Sequence, residues 1–369
     1  MKKDGLDRWN MMGISRREFL KAGAAGVAVM GVGKIPYEAL AADEKVLVVQ
    51  TWGGAIRDTM RKSMFEPFSK KTGIKIVTAD ATGSIMPQIK AQVQSKNVEW
   101  DVASGMGMAN IIHLSKENLL EPIDYSIVRK QDIFEDGMHP YGIGCWVISD
   151  NLVYNTKKFP PGKQPKNWAE FWDVKKFPGP RSLTSIPATA VMDNLAFALL
   201  ADGVPKNKIY PYDLERAYKK LDQIKPHMKA WWSSGAHWQQ IFTDQEVWLG
   251  SGWNGRVMTI QKQGAPVDFV WEGGRLTYNY FVVVKNAPHK KAAMEFIDFA
   301  TRAEAQAEMT KQIFYGPVNK KSFDSLPQDL IKSLNTYPPN KEKHYLPDEA
   351  WLGEHELKLM EQWQRWITK

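Results

Sequence analysis

Short apolar runs alternate with amphipathic stretches from residue 46 onward. Val46-Leu47-Val48-Val49-Gln50-Thr51-Trp52 is a near-continuous apolar run, as expected of a strand buried on both faces. Ile56, Met60, Phe65 and Phe68 then recur at roughly helical spacing, and Gly73 is placed to stop that helix. Ile74–Val77 reads as the next strand, Ile85, Ile89 and Val93 mark a helix, and Trp100–Ala103 is a further strand. This βαβαβ order predicts a mainly parallel sheet with helices on both faces.

Beyond residue 140 the pattern is less regular. A two-strand region is expected around Gly144–Tyr154, a Pro/Lys-rich connector at Phe159–Gln164 and a strand near Arg181–Ser185. Helices follow at Ala190–Ala201 and from Asp213, a good N-cap residue. Glu246–Leu249, Val267–Trp271 and Tyr280–Val284 read as strands, a long Ala-rich helix starts near His289, and another helix closes the chain. The fold class expected is α/β, in two units whose chain crosses between them more than once. Ligands of such sheets sit beyond the carboxyl ends of the strands. That makes Thr51–Gly54, Ala81–Ser84, Ser104–Met108, Ser185–Thr189 and Gly250–Arg256 candidate cleft loops.

The first residues change the picture of where the fold works. Ser15-Arg16-Arg17-Glu18-Phe19-Leu20-Lys21 precedes a small apolar run, Ala22–Gly33, and then Ala39-Leu40-Ala41. This order is that of a twin-arginine export signal cleaved after Ala41, which sends the protein to the periplasm. Cleavage removes seven Lys/Arg and four Asp/Glu, lowering the formal net charge from +8 to +5 and leaving 328 residues. Lys and Arg then alternate with acids on probable helices, as in Asp213–Lys220, so no nucleic-acid stripe is expected. The single Cys145 can form no internal disulfide, so the core alone must hold the fold. A buried apolar role suits it.

Gly250-Ser251-Gly252-Trp253-Asn254-Gly255-Arg256 contains G-x-G-x-x-G, and Glu272 follows at the distance of a ribose-binding acid. An exported NAD(P)-dependent oxidoreductase is therefore an alternative. Against it, the preceding strand offers three apolar residues, the following helix is short, and Trp and Asn fill positions where pyrophosphate needs close backbone approach. The histidines show no H-E-x-x-H spacing, and no G-x-S-x-G is present. No catalytic residue, metal or cofactor is expected. A ferric-ion carrier would need clustered tyrosines, and Tyr278 and Tyr280, alternating along a strand, are expected to point apart.

Val49–Ile56, Phe65–Ile74, Asn97–Val102, Leu119–Ile123, Phe171–Pro178, Ala198–Gly203, Ser251–Gly255 and Tyr315–Asn319 together resemble the extracellular solute-binding proteins of ABC importers, in particular the spermidine/putrescine-binding branch. The resemblance implies two α/β lobes joined by hinge strands, a small solute clamped between them, and a membrane permease as partner. It divides the chain into a signal at 1–41, lobe 1 at 42–149, lobe 2 at 150–277, a return to lobe 1 at 278–318, and a C-terminal helical segment at 319–369 packing across both. A monomer is expected.

Departures from that branch bear on the ligand. Polyamine binders grip ammonium groups with carboxylates, because a buried cation needs a paired charge. Here Gly53-Gly54 follows the first-strand Trp52, Ile186–Thr189 carries no acid, and Asn279 stands where the branch has an aspartate. Arg256 lies beside Trp253. The expected solute therefore bears a carboxylate or is zwitterionic, with polyamine binding as the alternative. Trp52 and Trp253 would hold its body, Arg256 its anionic group, and Ser84, Ser234, Asn279 and Tyr315 would supply neutral hydrogen bonds around it, with Gly53 leaving space. A pairing of Arg256 with Glu272 is the competing arrangement.

Overall fold

The computed structural model describes residues 45–81 and 84–369, so the export signal lies outside the described residues. Asp43–Lys369 forms one compact unit.

Its strands are β1 Val46–Thr51, β2 Lys75–Asp80, β3 Val102–Met106, β4 Leu120–Glu121, β5 Met138–His139, β6 Gly142–Asn155, β7 Arg181–Thr184, β8 Met228–Trp232, β9 Leu249–Trp253 and β10 Val267–Val284. They form one ten-stranded sheet in the order β2-β1-β3-β10-β6-β9-β7-β8, with β4 on β10 and β5 on β6. The outer groups are parallel, β2-β1-β3 at one end and β9-β7-β8 at the other. Between them β6 and β10 run antiparallel to each other and to their neighbours. The mixed α/β fold expected from the pattern is present, with parallel ladders confined to the two ends.

Two sequence expectations change here. The region 144–154 is one strand of 14 residues, and 267–271 and 280–284 belong to one strand of 18 residues. Polar residues at their centres, Ser149, Asp150, Asn151, Arg275 and Thr277, look like breaks in the sequence but are buried in the sheet. The two strands pair from Phe281↔Ile143 to Val267↔Asn155, so each passes through both halves. Their register jumps between Arg275↔Asp150 and Val270↔Leu152, which leaves Trp271–Gly274 opposite Asn151 alone. Gly273 in this bulge has φ 71, and its carbonyl accepts Trp168 Nε1 at 2.9 Å.

The first helical stretch has a local cause for its irregular spacing. Gly54–Met60 and Glu66–Thr72 are α-helical, but Arg61–Phe65 is a π turn, and the step of five from Met60 to Phe65 matches it. Gly73 ends the stretch at φ 77, where a left-handed residue closes a helix. Beta-strand β8 and the helix Gly235–Thr243 were not foreseen, because Lys229 and Ser233-Ser234 leave Trp231-Trp232 with almost no apolar run around them. The long Ala-rich helix is two, Lys290–Ala300 and Ala303–Ile313.

In the half built on β7 to β9, the helix Pro187–Ala201 is buried on nearly all sides, and Phe197 stacks on Trp168 at 3.8 Å. The closing helix Glu349–Ile367 packs on both halves. Its Gly353 approaches Ala109 of the helix Met108–Lys116, while Trp363 meets Trp231 of β8 at 5.8 Å. Cys145 is fully buried in β6, as expected, and burial pushes its thiol well up.

Candidate functional site

Strand directions place the cleft. Beta-strand β3 runs from Val102, paired with Val283, to Met106, paired with Tyr280, so its carboxyl end points toward the middle of β10. Beta-strand β9 runs from Leu249, paired with Tyr154, to Trp253, paired with Asp150, so its carboxyl end points toward the middle of β6. The parallel partners of each follow suit, and both sets of strand ends face the crossing. Helices start there at Gly54, Met108, Pro187 and Asn254, and none of the preceding residues supplies a side-chain cap, although Glu349 of the closing helix accepts from Ala109 N at the Met108 start. Uncapped helix starts carry free N–H groups and partial positive charge.

On the wall of β1 and β3, Trp52 is 42% exposed although it is a large apolar side chain. Its Nε1 donates to the Ser104 carbonyl at 2.9 Å. Gly105, at φ 74, leaves room for it, since a Cβ there would strike both Trp52 and Trp146. The ring is thus seated on protein and open to solvent. Gly53 has φ 66, and the Asp80 carboxylate lies beside it, held by the Thr51 hydroxyl at 2.6 Å and by Arg57. Ser84 is exposed, and its carbonyl accepts from Gln88. Asn279 of β10, opposite Trp146, has a buried Nδ2 with no partner.

On the other wall, Trp253 meets Trp232 edge-on at 5.1 Å, and Arg256 Cζ lies 5.4 Å from the Trp253 ring centroid. The guanidinium packs over Gly235, where a Cβ would strike it. Its Nη1 reaches Gln239 Oε1 only at 3.5 Å, and its Nε is buried without a partner. Among the described residues no carboxylate lies within ion-pair distance of Arg256, so the pairing with Glu272 does not form. Tyr315 packs against Gly255, and Arg256 opposes the upward shift that burial imposes on its hydroxyl. Ser234 caps its own helix, accepting from His237 N at 3.1 Å, so its hydroxyl is already engaged in the fold.

The structure therefore brings Trp253, Arg256 and Tyr315 together, with Trp52 and Asn279 on the facing wall, and leaves Ser84 and Ser234 at the margin. Gln239, Trp232, Gly235 and Gly105 were missed. The first three fall in the unread segment around β8, and nothing local in Ala236-His237-Trp238-Gln239 points to a ligand. Three of the unsatisfied polar atoms at these walls, Arg256 Nε, Asn279 Nδ2 and Trp232 Nε1, are N–H donors.

Three expectations need correction. The motif 250–256 is not a loop: Gly250–Trp253 are strand and Asn254–Arg256 open a helix. Its glycines admit protein, not solute. A Cβ on Gly250 would sit 2.5 Å from the Ser182 carbonyl, one on Gly252 2.6 Å from Trp238 Nε1, and one on Gly255 2.5 Å from the Tyr315 ring. Such filling leaves no cradle for a pyrophosphate. Finally, Tyr278 and Tyr280 do not point apart, since residues two apart share a strand face. Both lie beside Asp136, whose carbonyl accepts the Tyr280 hydroxyl at 2.6 Å.

Two half-sheets whose strand ends face each other across long shared strands, lined by aromatic rings, define a receptor that clasps a small molecule. The chain belongs to the bacterial extracellular solute-binding protein family, whose profile matches residues 63–338. A twin-arginine translocation signal matches residues 13–33, so the protein is exported by that pathway to the periplasm. It is similar to the gamma-aminobutyric acid-binding protein of Pseudomonas aeruginosa, 32% identical over 89% of this chain and 92% of that protein. The spermidine/putrescine-binding periplasmic protein of Escherichia coli is 25% identical over 85% and 88%. Among solved structures, a GABA receptor shares 34% identity and a TM-score of 0.79, covering 87% of this chain and 97% of that one. A binding protein of A. tumefaciens R10 in complex with agropinic acid shares 34% identity and a TM-score of 0.74, over 88% and 99%. The protein is thus the periplasmic solute-binding component of an ABC importer, which captures a small molecule and delivers it to a membrane permease.

Proposed function

We propose that the solute is a small carboxylate-bearing zwitterion and that Arg256 takes its carboxylate. The observation that carries this reading is a half-buried guanidinium, stacked beside Trp253, that has no carboxylate partner. A desolvated arginine offers a planar fork suited to a carboxylate. The unpaired N–H groups of Arg256, Asn279 and Trp232, with the helix starts at Pro187 and Asn254 that no side chain caps, add acceptor preference at the same place. Relatives named for gamma-aminobutyric acid and agropinic acid are more similar to this chain than the polyamine binders are. Trp52 and Trp253 cover the body of the solute, while Asn279 and Tyr315 contribute hydrogen bonds. The protein acts without chemistry, cofactor or nucleic acid, as a monomer.

Titration calorimetry of the mature protein with gamma-aminobutyric acid, related amino acids, putrescine and spermidine tests the class. Zwitterions should bind and polyamines should not. Arg256→Ala should cost the bound acid about 2–5 kcal/mol, the usual penalty for removing one partner of a buried charged pair. Tighter binding of spermidine than of any acid, or an unchanged affinity in the Arg256→Ala variant, would overturn the reading.

A further inference from the structure

At the crossing of β6 and β10 lies a buried charged cluster. Arg275 of β10 is 2% exposed, and Asp150 of β6 and Asp193 of the helix Pro187–Ala201 are both 0% exposed. The guanidinium donates from Nη2 to Asp150 Oδ2 at 2.7 Å, from Nε to Asp193 Oδ1 at 2.5 Å, and from Nη1 to Thr277 Oγ1 at 2.5 Å. Two carboxylates thus share one cation. Both ionised, they would leave a net negative charge in the interior, where an uncompensated charge costs several kcal/mol.

The remaining oxygens carry the argument further. Asp150 Oδ1 and Asp193 Oδ2 are each buried with no donor, and the two carboxyl groups are held side by side on Nη2 and Nε of the one guanidinium. Among the described residues no second cation pairs with either carboxylate, and burial holds the nearby His344 imidazole neutral, its pKa down to about 4. Tyr210 and Tyr212 are hydrogen-bonded to each other at 2.9 Å, and Tyr345 gives its hydroxyl to the Met192 carbonyl. Tyr315 faces Asp150 from the segment after Ala303–Ile313, and from the closing helix Glu349 and Glu356 add acidic groups near Arg275. A proton between the two orphaned oxygens would satisfy both and neutralise the cluster.

We propose that Asp150 keeps a proton at neutral pH and donates it to Asp193 Oδ2, making the Asp150–Arg275–Asp193 triad a proton-dependent lock on the strands that join the two halves. Burial, reinforced by the Asp193 charge and only partly offset by Arg275, pushes the Asp150 carboxyl well above its ordinary range in accord with this. An acid held protonated by the fold stabilises less and less as pH rises toward its folded pKa. The lock therefore loosens on the alkaline side. The loss reaches the solute site, because Asp150 is the register partner of both Trp253 and Arg275, and directly opposed residues share a sheet face.

The test compares the mature protein with Asp150→Asn and Asp150→Ala. The amide of Asn copies the protonated acid, donating to Asp193 and accepting from Arg275. Melting temperatures of Asp150→Asn and the parent should converge toward acid pH, and the parent should fall progressively below the variant as pH rises past the range in which an unfolded aspartate ionises. Asp150→Ala should melt lower throughout. Infrared spectra of the parent at neutral pH should contain buried carboxylic-acid carbonyl absorption that shifts in heavy water; the component from Glu349 is lost in Glu349→Gln, and a second band survives that change and is lost in Asp150→Asn. Absence of that band from the parent, or Asp150→Asn melting as low as Asp150→Ala at neutral pH, would overturn the proposal. Loss of all such absorption in Glu349→Gln would itself overturn the proposal, so the infrared test holds even should the Asp150 variants fail to fold.

Discussion

Tryptophan serves two ends in this protein, and burial separates them residue by residue. Trp168 and Trp363 are 1% and 0% exposed and tie helices to the sheet, whereas Trp52 keeps 42% of its surface open above Gly105. Glycine does the complementary work, since Gly105, Gly252 and Gly255 make room for rings and Gly235 for a guanidinium. Gly252 of β9 shows the constraint, because Trp238 cannot withdraw: its Nε1 is bonded to the Ser251 carbonyl at 2.8 Å and its ring is 1% exposed. Gly252→Ala should therefore destabilise the fold by about 1–3 kcal/mol, the usual cost of overpacking. Urea unfolding measures it, and a variant as stable as the parent would show that the Trp238 seat is loose.

Among the helices, termini matter more than interiors. Asp213 accepts from Arg216 N at 3.1 Å at the start of Leu214–Ile224, so Asp213→Ala should cost about 0.5–2 kcal/mol. The closing helix begins with the same device, Asp348 accepting from Trp351 N at 2.9 Å, and adds a second. Glu349 accepts from Ala109 N at 3.3 Å, placing its carboxyl at the start of the helix Met108–Lys116. Burial raises this carboxyl to about 7, with Arg275 opposing the shift. The folded state therefore holds a proton that an unfolded glutamate releases above about pH 4.3. The stability contributed by Glu349 is present at low pH and lost as pH rises to about 7. Melting curves of the parent and of Glu349→Gln, recorded from about pH 4.5 to 7.5, should converge toward the acid end, and the parent should fall below the variant toward neutrality. Parallel curves would show that Glu349 ionises freely.

At the level of the whole protein, β6 and β10 join the halves and set how the cleft can close. Solute contacts on opposite walls favour a closed arrangement by their differential affinity alone. Small-angle scattering should show a smaller radius of gyration at saturating zwitterion than without it, and an unchanged radius would argue against closure. No described helix is long and apolar enough to cross a membrane. Export rests on the N-terminal signal, so Arg16→Lys with Arg17→Lys should leave folded precursor in the cytoplasm, because the arginines are read by a receptor. Cell fractionation checks it, and a normal periplasmic yield would count against a twin-arginine route.

Local grammar carried much of this protein. The apolar run 46–52, the caps at Gly73 and Asp213, and the ordered signal around Arg16-Arg17 depend only on near neighbours, and so could be read without a fold. The stacking of Arg256 on Trp253 was also legible, since the two are three residues apart at a strand-to-helix junction. What tertiary structure alone decided involves residues distant along the chain. Gln239 and Gly235 come to Arg256 from an unread helix, and Trp238 and Tyr315 claim the space that the glycine motif had suggested was for a ligand. Asp150, Asn151 and Arg275 looked like strand breaks, because a buried polar group is tolerated only when partnered. The partners of Arg275 lie 82 and 125 positions away, in Asp193 and Asp150, so only the folded chain could show that two long strands pass unbroken through the centre.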